Sequence, residues 1–156
     1  MTRIRVLVRP DGDTVVSDGR RRTRKVITKR GRPHLRRRYL LDPAVDPVGL
    51  MVHRIDQPDA DRHLHDHPWW FVAVVLRGGY EQVRTTRRGG VRRARVRRVN
   101  AVGRRTFHRI ESVEPGTVTL VLTGRVQRTW AYRVEWDRIH PGDWADAADN
   151  AGWNDR

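Results

Sequence analysis

Apolar and polar residues alternate along most of this chain with a period of two, the spacing that puts one face of a β-strand in a core and the other in solvent. Ile4 to Arg9 alternates apolar and basic positions, Pro10-Asp11-Gly12-Asp13 supplies a turn, and Thr14-Val15-Val16 resumes, which predicts a hairpin. Strands are expected at Tyr39-Leu40-Leu41 and from Gly49 to Ile55, separated by the proline-containing stretch Asp42 to Val48. Further strands are expected from about Phe71 to Leu76, from Tyr80 to Arg84 after Arg77-Gly78-Gly79, and from Val91 to Val99 after Gly89-Gly90. Thr106 to Ile110, Thr117 to Thr123, and one or two strands within Val126 to Trp136 complete the pattern. No segment carries a helical period of 3.6 residues, and no repeat has solenoid length. The expected fold is therefore all-β with little helix, a barrel or sandwich.

Composition sharpens this picture. The 156 residues suit a single domain. Only 37% are hydrophobic and 33% are charged, which favours a thin-walled β-architecture over a three-layer α/β fold. No apolar run approaches membrane-spanning length and the first residues lack a signal-peptide pattern, so a cytoplasmic protein without a membrane partner is expected. There is no cysteine, so any metal must be held by His, Asp or Glu.

The formal charge is +15, carried by arginine except at Lys25 and Lys29. Arginine with scarce lysine is what a GC-rich coding sequence produces, so part of this charge reflects composition. A field of that size also attracts polyanions, and non-specific binding of nucleic acid through the arginine-rich surface is a second reading. Gly19 to Arg38 contains no acidic residue and one apolar pair, Val26-Ile27. That segment is expected to be poorly ordered, or at best a basic edge strand. Residues from about 137 to 156, with Pro141, Gly142 and five aspartates, read as an irregular tail.

The chemistry is concentrated in His63-Leu64-His65-Asp66-His67-Pro68-Trp69-Trp70. Side chains two apart on a strand share a face, so a His-x-His pair aims two imidazoles at one point, and neutral imidazole suits zinc, copper, iron and nickel. A third ligand must come from elsewhere, and His108 lies on a later strand. Alternation would turn Asp66 outward.

The stretch from Asp59 to Phe71, continuing through Leu76-Arg77-Gly78-Gly79-Tyr80-Glu81, resembles the first motif of the cupins. In particular it is similar to small bacterial and phage cupins with a His-Asp-His-Pro core. Thr106 to Glu111, followed by Leu120 to Gly124, resembles their second motif. The resemblance implies a cupin-type, jelly-roll-like β-barrel over 1–156, with a metal-binding core at about 50–136. It also implies one divalent transition metal held by His65, His67 and His108, with Fe(II) favoured and nickel, zinc or manganese as alternatives. The motif's usual glutamate is absent, because Phe71 and Val72 stand in its place. Glu81 is the substitute, as fourth ligand or as an acid beside the metal, and His63 is an alternative ligand. His53, Trp69, Phe71 and Tyr80 are expected to line the pocket or support the ligands. The resemblance implies a small molecule in the barrel, acted on by a dioxygenase or isomerase, and pairing of two copies. The competing expectation is a non-catalytic binding module whose arginine surface meets nucleic acid or an acidic partner.

Overall fold

Thr117 to Thr123 shows how the sequence builds the fold. Its odd-numbered residues Thr117, Thr119, Val121 and Thr123 are buried, and the residues between them face outward. In the computed structural model, which describes residues 4–8, 13–18, 21–29, 31–59, 63–127, 131–133 and 144–146, such strands form two antiparallel sheets. No helix occurs among the described residues, so none is long and apolar enough to cross a membrane.

The first strands are β1 (Arg5–Val8), β2 (Thr14–Ser17), β3 (Arg22–Lys29), β4 (Arg32–Leu41) and β5 (Gly49–Ile55). There follow β6 (Leu64–His65), β7 (Phe71–Arg77), β8 (Tyr80–Thr85), β9 (Val91–Val96) and β10 (Val99–Val102). The last are β11 (His108–Val113), β12 (Thr117–Thr123), β13 (Ala131–Arg133) and β14 (Trp144–Asp146). One sheet has the order β1-β2-β3-β4-β5-β12-β7-β10 and the other β14-β13-β6-β11-β8-β9. Consecutive strands switch sheets between β5 and β6 and again between β6 and β7, so His65 on β6 belongs to the second sheet and Phe71 on β7 to the first. The core lies between them, in clusters built around Phe71 and Trp69, around Ile55 and Tyr80, and around Leu64 and Phe107.

The β7–β8 turn sets the register that matters for the site. Gly78 has φ of +73°, and a Cβ there would lie 2.5 Å from Thr117 Oγ1, so glycine is required on both counts. Thr117 also accepts from Gly79 N–H at 3.1 Å, tying the turn to β12.

Two expectations are corrected. The segment from Gly19 to Arg38 is no basic edge: β3 and β4 lie inside the larger sheet, between β2 and β5. Its charge is met by acids remote in sequence. Arg22 makes hydrogen bonds to Asp42, the shortest 2.6 Å, while Lys25 lies 3.7 Å from Asp13 and Arg36 pairs with Asp56 at 2.9 Å. The expected strand from Val91 to Val99 is two, β9 and β10, in different sheets. The chain bends at Arg97-Arg98, where neither glycine nor proline announces it. The residues lining the internal cavity begin at Lys25 in chain order. Of the tail at 137–156 only β14 lies within the described residues, paired with β13.

Candidate metal centre

His65 and His108 are register partners on the neighbouring strands β6 and β11, so their rings lie side by side, with centroids 5.1 Å apart. His67 follows β6 rather than extending it. Its ring nonetheless turns to the same point, 5.4 Å from His65 and 4.9 Å from His108 between centroids. Ring nitrogens of all three lie within 4.8 Å of one another, and the Nε2 atoms of His67 and His108 are 2.7 Å apart. Two nitrogens bound at right angles to one metal at ~2.1 Å stand about 3 Å apart, so only a small adjustment separates this cluster from a ligand set.

Electrostatics favour the form that coordinates. Burial, then the charges of His108 and His65, hold His67 well below the usual imidazole range. Burial, then the charge of His65, lowers His108 to about 3. Both rings are therefore neutral at pH 7, with a lone pair to give. The residues fit a divalent metal.

Around the triad, Phe71 packs edge-on against His67 at 4.9 Å and an interplanar angle of 87°. Trp69, Tyr80 and His53 line the same cavity. Tyr80 accepts a hydrogen bond from Asn100 at 2.8 Å, and burial raises its pKa. His53 Nε2 accepts from Arg37 Nε at 2.9 Å, and burial together with the Arg37 charge keeps His53 neutral.

Glu81 is corrected. Its side chain is exposed and, among the described residues, accepts from the Ser112 hydroxyl at 3.4 Å. Strand alternation explains this: Tyr80 points inward, so Glu81 points out and Gln82 points in again. His63 stands outside the three-histidine group. Asp66, expected to face outward, is fully buried.

The residue that occupies the inward position is Gln82, 1% exposed, with Oε1 3.2 Å from Nδ1 of His108. Two reciprocal bonds to Asn100, at 3.0 and 3.1 Å, set the orientation of its carboxamide. Gln82 was legible from alternation once Tyr80 was placed inside. Asn100 and Arg37 carried no signal of their own in a chain so rich in polar strand residues.

The cavity has a volume of about 120 Å³, enough for a ligand of a few heavy atoms. Its charges do not balance. Lys25 has Asp13 at 3.7 Å, and Asp59 serves both Lys29 at 3.9 Å and His34 at 3.1 Å. Burial opposes ionisation of Asp59, but His65, His34, Lys29 and the Ile110 N–H outweigh it and keep the carboxylate charged. Arg37 faces the cavity with only neutral His53 and the Tyr39 hydroxyl as hydrogen-bond acceptors. No carboxylate pairs with it among the described residues.

No family model matches the chain, and no curated protein matches it by sequence. Solved structures are similar in shape. Oxalate decarboxylase of Bacillus subtilis is similar over 62% of this chain and 26% of its own length, at 18% identity and a TM-score of 0.48. Fe(II)-HppE, solved with the alternative substrate (S)-1-HPP, is similar over 65% of this chain and 55% of its own, at 12% identity and a TM-score of 0.47. The chain thus spans about a quarter of the first and about half of the second. These likenesses are too remote to carry an activity, and the arrangement itself must be read. Two antiparallel sheets enclose three histidines drawn from both sequence motifs, an all-β arrangement as the strand pattern predicts.

Proposed function

We propose that the chain binds one divalent transition metal, Fe(II) ahead of nickel, zinc or manganese, through His65, His67 and His108, and acts as an oxygenase or isomerase on a small anionic molecule in the cavity. The observation that carries this reading is the convergence of three imidazoles whose ring nitrogens lie within 4.8 Å of one another. A ligand set of imidazoles alone would leave the ion its full charge, and three of them leave coordination positions for other ligands. When bound, the ion supplies Lewis acidity at those positions.

The chain's own residues do the rest. Gln82 accepts from His108 Nδ1–H, which leaves Nε2 as the coordinating atom. Phe71, Trp69 and Val121 keep water from the cavity wall. Arg37 offers an unpaired positive charge, and a guanidinium binds a carboxylate through paired N–H donors. The cavity volume limits the substrate to a small one.

Metal analysis of protein purified without chelators tests the proposal, coupled to an oxygen-uptake screen of small carboxylates. About one metal per chain is expected, falling severely in His67→Ala and in His108→Ala. Wild-type protein that carries no metal, and gains none on titration with iron, nickel and zinc, overturns it.

A further inference from the structure

A second concavity shares Phe71 with the cavity of the triad. Its volume is about 1210 Å³, beyond the ~300–1,000 Å³ of ordinary small-molecule pockets. Arg84, Arg87, Arg92, Arg104 and Arg105 line it, together with Trp70, and no acidic residue does. Its walls come from the β8–β9 hairpin, from β10 with the turn that follows it, and from the start of β7.

Three observations separate this groove from a merely basic surface. Arg84 and Arg92 are direct cross-strand partners on β8 and β9, an arrangement of like charges that costs stability. Arg84 Nη1 spends its hydrogen bonds on Asn100 Oδ1 and the Ala101 carbonyl, not on an acid. Among the described residues no carboxylate pairs with Arg84, Arg87, Arg92 or Arg105.

The neighbouring face of β9 is the reverse. Arg93 pairs with Glu111 at 2.8 Å, and Arg95 and Arg97 pair with Glu114 at 3.0 and 2.9 Å. Among the described residues, acids are thus paired on one face of the hairpin and not on the other. Charge of compositional origin alone would not segregate in this way.

Trp70 supplies the third observation. It is 39% exposed although its neighbour Trp69 is in the core. A Cβ at Gly124 would lie 2.5 Å from the indole nitrogen, so the ring is held against Gly124 with its remaining surface toward the groove. An extended concavity that joins Arg84, Arg87, Arg92 and Arg105, none with a carboxylate partner among the described residues, to a braced aromatic surface matches a chain of phosphodiesters carrying unstacked bases.

We infer that this groove binds single-stranded nucleic acid, its arginines on the phosphates and Trp70 stacking on a base. The inference holds whether or not the cavity is catalytic.

The test is an anisotropy titration of the full chain with a labelled 12-nucleotide oligothymidylate across a range of salt. Arg87→Ala/Arg92→Ala/Arg105→Ala is compared with Arg93→Ala/Arg95→Ala/Arg97→Ala, which removes the same charge from the paired face. The groove variant should bind at least tenfold more weakly, with its log–log salt slope reduced by about 2, while the paired-face variant stays close to wild type. Trp70→Leu should lose about fivefold or more, with Trp70→Phe restoring most of it and binding of inorganic polyphosphate unchanged in both. Melting curves and metal content establish that each variant is folded. Equal losses in the two triple variants overturn the inference. So do equal affinity for a duplex of the same length, equally effective competition by polyglutamate, or no binding at low salt.

Discussion

Gln82 and His108 meet across β8 and β11, with the carboxamide oxygen 3.2 Å from Nδ1 of the imidazole. Because Asn100 holds both ends of that carboxamide, the oxygen side is presented to the ring. His108 must then donate from Nδ1, and its Nε2 lone pair is the one directed at His67. Gln82→Leu should therefore weaken metal binding by roughly 10–100-fold, the range found when such supporting partners are removed. Gln82→Glu keeps an acceptor and should stay within a few-fold of wild type. A chelator-competition titration measures both, and wild-type affinity in Gln82→Leu would show that the ring is oriented by something else.

Arg37 is the unbalanced charge of the cavity. Arg37→Met removes it while keeping much of the side chain's length, so affinity for a small dicarboxylate such as malonate should drop at least tenfold in the metal-loaded protein. Metal content should not change, since Arg37 bonds to His53 and Tyr39 rather than to the triad. Calorimetric titration of malonate decides it, and equal affinity in the variant removes Arg37 from the site.

Asp42 predicts the acid limb of stability. Burial would raise its pKa, but the side-chain and backbone hydrogen bonds of Arg22, aided by Ala44 N–H, outweigh this and lower it. A carboxylate with a depressed folded pKa contributes stability above its unfolded value of about 3.9 and loses that contribution as pH falls through the folded value. Tm should fall as pH drops from 5 toward 2. Asp42→Asn should melt lower than wild type at pH 7 and lose less on acidification, because it has no such proton to take up. Parallel slopes for the two proteins in thermal melts would assign the acid limb to other groups.

Limited trypsin digestion examines β3 and β4. They contain many cleavage sites, yet each is paired on both sides, and Ile27, His34 and Tyr39 are buried. The segment from Arg22 to Leu41 should survive as long as the segment from Gly49 to Thr123. Early cutting confined to β3 and β4 would mean that this half of the sheet opens independently.

Local pattern determined a good part of this molecule by itself. The period of two gave the strand content, and the bounds Gly49–Ile55 and Thr117–Thr123 were readable directly from alternation and flanking turns. His65, His67 and His108 were readable too, because two motifs announced them. What alternation cannot supply is an absolute direction: it says that Tyr80 and Gln82 share a face and Glu81 does not, but the pairing of β8 with β11 decides which face looks inward. The fate of charge was likewise a tertiary matter. Gly19 to Arg38 looked unable to fold because its neutralising partners Asp13, Asp42, Asp56 and Asp59 lie outside it in the chain and reach it only across the sheet. Coulomb interactions act through space, so a run of arginines has no structural meaning until the fold has brought its counter-charges into place, or, as at Arg84 and Arg92, withheld them.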